Sequence, residues 1–407
     1  MIEISRRQCL SFFSGVVAES LPLSNFATAH LGGATFPIPV GTVYLNGARL
    51  HPLSQESLSD IHSYLDHRAL NPVADLAYFG ELEDEVKQAF GTLINSPLEN
   101  ISYIQSTQIA ENLIIAGLGI DQKTHNIVTE GLHYRGSIYL YGELAKQGFD
   151  VRVVPPRENQ TRIEDLISAI DERTKLVSIS LVSYINGFQH DLKAVCDAAH
   201  AKGALVYADI VQAAGSVPTD VQASGVDFCA CSAYKWLMGE RGLGFLYVKK
   251  GLLGSTLKQT QFGSDELASY DDHLFSTDPP IGGSPSWTQR PGAAGYFQVG
   301  TGADVVAASL RAPLKFLNKR GVGRLQAERR PLMERLMREV PKLGFPCITP
   351  TPDTPIVSFA VTDRAALENR LKRRNVWVSF IEHTMRVSPS IFNSNADIDR
   401  LLESLKP

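Results

Sequence analysis

Between residues 100 and 250 the chain alternates short runs of β-branched and aromatic residues with stretches of helical periodicity. No other feature limits the fold as much. The runs are ISYIQ (101–105), NIVT (126–129), VRVV (151–154), KLVSISLV (175–182), ALVYAD (204–209), DFCACS (227–232) and GFLYV (244–248). Helical patterns, such as 137–147 and 192–202, lie between several of them. Strands that read as near-continuous Val, Ile and Leu are buried on both faces, and the helices between them supply the crossovers that parallel strands need. The expected fold class is α/β, with a mostly parallel central sheet covered by helices.

Residues 251–300 form a long Gly/Pro/Ser-rich stretch, the kind of loop that serves as a lid or a subunit contact. Within it, Trp287 and Arg290 are candidates to enter a partner's site or to pack at an interface. From about Ala303 a long helix begins, followed by VSFAV, VWVSF and a helix starting near Asn395. This divides the chain into a large domain, 30–300, and a smaller α/β C-terminal domain, 301–407. Residues 1–29 stand apart. Arg6-Arg7 precede a weakly apolar stretch, 10–18, and Ala27-Thr28-Ala29 follow. That order resembles a twin-arginine export leader and predicts a periplasmic protein; the alternative is an N-terminal arm on a cytoplasmic enzyme.

Charge and cysteine usage exclude several functions. With 39 Lys+Arg against 43 Asp+Glu there is no basic excess to attract nucleic acid. No apolar run reaches the ~18 residues that a membrane-spanning helix needs. The five cysteines form no CxxC pair and no Cys/His cluster, so no metal is expected.

In a sheet of this kind ligands gather at the carboxyl ends of the strands. Three segments stand there. Asp209 and then Gln212 follow ALVYA; Ser232-Ala233-Tyr234-Lys235-Trp236 follow DFCAC; Ser106-Thr107-Gln108 follow ISYIQ and open a helix. A lysine at the end of a buried strand loses hydration, which lowers its pKa and frees the amine to attack a carbonyl. A buried aspartate needs a positive partner, and a protonated pyridine is one. Hydroxyls and N–H groups at a helix N-terminus hold phosphate. Taken together these are the demands of pyridoxal 5'-phosphate (PLP).

The run YADIVQAAGSVPTDVQASGVDFCACSAYKWLMGERGLGFLYV resembles the cofactor-binding core of the class V aminotransferase family of PLP-dependent enzymes. That family includes cysteine desulfurases, kynureninases, isopenicillin-N-epimerase-like proteins and C–S lyases. The resemblance extends from about Val43 to the end of the chain. It implies the PLP-dependent transferase fold type I, a homodimer, and an amino acid or amine-bearing small molecule as substrate.

By the same resemblance Lys235 is the Schiff-base lysine, and Asp209 pairs with the pyridine nitrogen. Gln212 hydrogen-bonds the ring oxygen or the lysine. Thr107, Gln108, Ser232 and Tyr234 bind the phosphate. Thr301, in FQVGTGADV, reaches the phosphate of the neighbouring subunit. Tyr134, in TEGLHYRG, stacks on the cofactor, with His133 as the alternative. Asn186, in VSYINGFQHD, and Arg386, in MRVSPSIFN, hold the substrate carboxylate.

Two departures from the family pattern matter. The phosphate run reads Gln105-Ser106-Thr107-Gln108-Ile109, without the glycine-containing S-G-A-T-E of desulfurases. No cysteine stands between VWVSF and Arg386, where persulfide-forming desulfurases carry one; His383 is the nearest candidate to face the substrate there. C–S lyase or desulfurase-like elimination, transamination and epimerisation share their first steps and stay open at this point. Tailoring of a peptide-like, siderophore-type metabolite is the exported alternative.

Overall fold

A computed structural model describes residues 26–31, 34–71, 75–280 and 285–406. The expected leader, 1–29, lies outside the described residues except for its last four. Those belong to the strand Phe26–Leu31, which pairs antiparallel with Ala34–Pro39.

Seven strands form the central sheet: β1 (Ile101–Ile104), β2 (Asn126–Glu130), β3 (Asp150–Val154), β4 (Thr174–Ser180), β5 (Leu205–Asp209), β6 (Phe228–Ser232) and β7 (Gly244–Val248). Their spatial order is β1-β7-β6-β5-β4-β2-β3. Pairs from β3 to β6 are parallel, and β7 runs antiparallel to both β1 and β6. The sheet is therefore mostly parallel, as expected.

Two-residue periodicity sorts the apolar side chains to the two faces. Val128, Val177, Val206, Cys229 and Phe245 enter one core cluster, while their neighbours Ile127, Leu176, Tyr207, Phe228 and Leu246 enter the other. Helices cover both faces, which is why these strands show no polar alternation. β4 stops short of the expected Val182 because that residue turns back to bridge Gln189. The helix Thr107–Gly117 starts where Ser106 Oγ accepts the N–H of Ile109, and Leu192–His200 starts where the Asp191 carboxylate accepts the N–H of Ala194.

A second apolar cluster gathers Val357, Leu371, Met385 and Leu401 with Val43 and Leu45 from the N-terminal end. Val43–Tyr44 pairs parallel with Val376–Trp377. Leu310, Leu314 and Leu317 of the helix Asp304–Arg320 instead belong to the large core, where that helix packs on Gln55–Leu70 and Asp75–Ile94. The clusters thus divide the chain differently from a cut at 300/301, because apolar burial rather than sequence order decides membership.

VWVSF forms two strands, not one. Ser379–Ile381 turns back on Thr384–Val387, and the latter also pairs with Val357–Ala360. The described part of 251–300 includes an exposed hairpin, Leu267–Asp271 with Ser286–Gln289. Among the described residues no helix is long and apolar enough to cross a membrane.

Candidate active site

β5 and β6 are parallel neighbours with Asp209 opposite Ala230, so the strand end carrying Asp209 lies beside the one leading to Lys235. A cavity of about 260 Å³ opens there. Thr107, Gln108, Tyr134, Asp209, Ser232, Tyr234 and Lys235 all line it.

Lys235 is only 7% exposed, and its Nζ makes no hydrogen bond or ion pair with any described residue. The ammonium position lies 5.8 Å from the centroid of the Tyr234 ring and 6.0 Å from that of Tyr134. Burial pulls the amine down to about 8; Asp209 works against this and Arg386 with it. Asp209 has one carboxylate oxygen engaged, accepting the Val211 N–H at 2.9 Å. Its other oxygen has no hydrogen-bond partner among the described residues. Burial raises the Asp209 pKa, and the nearby His133 opposes the rise.

His133 sits behind the cavity, not in it. Its ring nitrogens meet Ser178 Oγ at 3.1 Å and Ser180 Oγ at 3.0 Å, and Nε2 lies 3.5 Å from Glu111. Glu111 in turn accepts from Ser137, Tyr141 and Ser178 at 2.6–2.8 Å. Burial alone would raise the Glu111 pKa, but His133 and these hydroxyls hold it below the ordinary value. Tyr134, whose N–H bonds to His133, is thereby presented to the cavity with the buried network at its back.

The phosphate expectation falls on a real helix start. Thr107 N–H donates to Ser232 Oγ at 3.3 Å and Ile109 N–H to Ser106 Oγ at 3.3 Å. The Gln108 N–H between them has no acceptor among the described residues. The Gln108 side chain turns to Glu111 and Ser137, so its backbone is what faces outward. Arg241 also lines the cavity and had no motif to mark it in the sequence.

Gln212 stands just behind. Its Nε2 donates to the Ala48 carbonyl at 3.0 Å and its Oε1 accepts the Trp236 indole N–H at 2.8 Å. It braces the site walls and does not line the cavity. Thr301 lies in an adjoining groove of about 520 Å³ that shares Gln105 and Gly242 with the cavity. Arg290 is tied to Glu83 of its own chain at 3.1 Å, while Trp287 is 62% exposed.

A second cavity of about 410 Å³ shares Lys235, Tyr134 and Tyr234 with the first and reaches Arg386. Arg386 donates to the Tyr184 carbonyl at 2.8 Å and to Ser379 Oγ at 3.2 Å, and its buried Nε has no partner. Burial lowers this guanidinium to about 10. Asn186 does not reach the cavity. Its amide is committed to the carbonyls of Asn159 and Ile348 and to the Phe188 N–H. Tyr184, two residues earlier, occupies the wall instead. His383 is exposed at a hairpin turn and lines neither cavity.

An unpartnered buried amine, a carboxylate with an unpartnered oxygen, and a free helix N-terminal N–H beside a hydroxyl and an arginine fit the aldehyde, ring nitrogen and phosphate of PLP. The family profile for aminotransferase class-V matches residues 44–401.

The chain belongs to the aminotransferase class-V family.

As a class-V enzyme it depends on PLP. It is 23% identical over 327 residues to an uncharacterized aminotransferase, YcbU, of Bacillus subtilis, covering 80% of this chain and 83% of that one. It is 28% identical over 268 residues to a probable cysteine desulfurase of Methanothermobacter thermautotrophicus, covering 65% of this chain and 62% of the relative. Among solved structures, the cystine C–S lyase C-DES, in complex with its product cysteine persulfide, superposes with a TM-score of 0.79. Identity to it is 21%, over 90% of this chain and 99% of that one, and the likeness shows the shared fold.

Proposed function

We propose that this class-V enzyme attaches PLP at Lys235, binds an amino acid through Arg386, and eliminates a sulfur group from it in the manner of a C–S lyase. The Lys235 amine carries the reading: it is buried, unpartnered and lowered to about 8, on the wall shared by both cavities. PLP supplies an aldehyde that captures amines and a ring that accepts electron density from the substrate Cα.

The chain's own residues do the rest. Asp209 would present its unpartnered carboxylate oxygen to the ring nitrogen. The Gln108 N–H, Ser232 and Arg241 would hold the phosphate, and Tyr134 would cover the ring. With an amine near 8, Lys235 can both take a proton from Cα and return one at neutral pH. Arg386 offers a planar fork to a carboxylate and so fixes which Cα bond faces the ring.

No described cysteine lines either cavity. Cys231 is buried, and burial pushes its thiol well above the ordinary range, so it cannot serve as a thiolate acceptor. The sulfur product then leaves as a small molecule, not as a persulfide on the protein. Transamination is the second reading, favoured by the likeness to YcbU over most of both chains.

Thr301, exposed beside the phosphate end of the cavity, suits a homodimer in which that residue serves the partner's site. The leader Arg6-Arg7 suits periplasmic export, which fractionation of cells expressing the full chain and its Arg6→Lys, Arg7→Lys variant would test. For the reaction, purified holoenzyme is mixed with cystine, cysteine and keto-acid acceptors. Release of pyruvate with a sulfur species supports elimination; pyridoxamine phosphate with no sulfur release replaces it with transamination.

A further inference from the structure

The substrate cavity carries far more positive charge than one carboxylate requires. Arg49, Arg135, Arg364 and Arg386 line it together with Lys235, against a single acidic side chain, Glu382. Arg364 has company, 3.5 Å from Glu368 and over the Phe380 ring at 5.8 Å. The guanidinium groups of Arg49 and Arg135 form no hydrogen bond or ion pair with any described residue.

Their placement opposes the helix field. Arg135 and Arg364 are the first residues of Arg135–Lys146 and Arg364–Arg373, where the helix end is already positive. Cations stabilise the other end of a helix, so an arginine here raises the potential of a site that is already set for an anion. The charges also act on one another: Arg49 and Arg386 repel, which adds to the effect of burial on Arg386. Four arginines and a lysine facing one carboxylate in the cavity leave a positive excess that favours an anionic ligand.

We infer that the substrate is an amino acid whose side chain carries a second anionic group, with Arg386 taking the α-carboxylate and Arg49 and Arg135 taking the distal one. This rests on the amino-acid reading above and narrows it.

The test titrates holoenzyme with matched pairs, aspartate against asparagine and glutamate against glutamine. Dissociation constants come from the change in the cofactor's visible band and, independently, from calorimetry. The acidic member of at least one pair binds about tenfold tighter, through two arginines acting together on the distal anion. The preference shrinks as salt rises from low to physiological strength. Arg49→Gln and Arg135→Gln each reduce the acidic-to-neutral ratio at least about threefold, and the lysine variants restore part of it.

Equal binding of acid and amide overturns the inference while leaving the PLP reading intact. So does a loss of dimer mass in Arg49→Gln or Arg135→Gln with an unchanged ratio, which would assign these arginines to a subunit contact. A holoenzyme whose band answers to no amino acid overturns the underlying reading as well.

Discussion

The indole N–H of Trp236 donates to Oε1 of Gln212 at 2.8 Å, tying the residue after Lys235 to the turn that follows Asp209. Through the Gln212 amide the tie continues to the carbonyl of Ala48. Two strand ends and the N-terminal segment are thereby locked in one arrangement. Trp236→Phe keeps an aromatic ring but loses the indole N–H, leaving a buried acceptor unsatisfied at about 1–3 kcal/mol. The expected results are a melting temperature lower by about 1–4 °C and a PLP affinity lower by about tenfold, read by thermal melts and cofactor titration.

Gly215 permits the same lock from the other side. Its φ is +84°, and an added Cβ would stand 2.4 Å from the Trp236 carbonyl oxygen. Gly203 has a similar φ of +77° but faces open space. Gly203→Ala should cost only the backbone term of about 1–2 kcal/mol. Gly215→Ala should cost more and also weaken cofactor retention, because the clash moves the backbone beside Lys235. Equal losses in the two variants, by denaturant melts and bound-cofactor ratio, would count against this.

Cofactor uptake by the apoprotein should follow the neutral form of Lys235. With the amine lowered to about 8, uptake slows about tenfold per pH unit below that value and levels off above it. At pH 7 about one molecule in ten has a free amine, against about one in a few thousand for an ordinary lysine. Stopped-flow absorbance across pH 6–10 reads this. A rate still climbing at pH 10 would mean that the amine is not lowered.

Arg386 and Asn186 should separate cleanly. Arg386→Ala removes a guanidinium that lines the Lys235 cavity, and the expected result is a KM for amino acids raised about 100-fold with cofactor still bound. Asn186→Ala removes an amide that joins backbone carbonyls from two distant segments. It should lower stability by about 1–3 kcal/mol and leave KM little changed. Steady-state kinetics beside thermal melts distinguish the two.

The contrast between those residues shows where the sequence was informative. All seven strands of the sheet were legible, to within a residue or two at each end: the six buried ones and the partly exposed edge strand Asp150–Val154 alike are rich in β-branched and other apolar residues. Asp209 and Lys235 could be paired from the sequence because the crossover between β5 and β6 sets neighbouring strand ends side by side. The loop after β4 had no such ruler. Placing Asn186 at the carboxylate there rested on the family resemblance, whereas the turn from Val182 back to Gln189 points the asparagine at backbone and puts Tyr184 on the cavity wall. The commitment of Gln212 to Trp236 was hidden for a similar reason, since hydrogen-bond direction is a tertiary property. Arg49, Arg135 and Arg364 come from three separate parts of the chain, and only folding brings them to one cavity.

The most direct measurement is the site of covalent attachment. Holoenzyme reduced with borohydride and digested should yield a single peptide carrying the pyridoxyl mass on Lys235, and the Lys235→Ala protein should show neither that peptide nor the visible band. Label on another lysine, or an unchanged visible band in Lys235→Ala, would contradict the account.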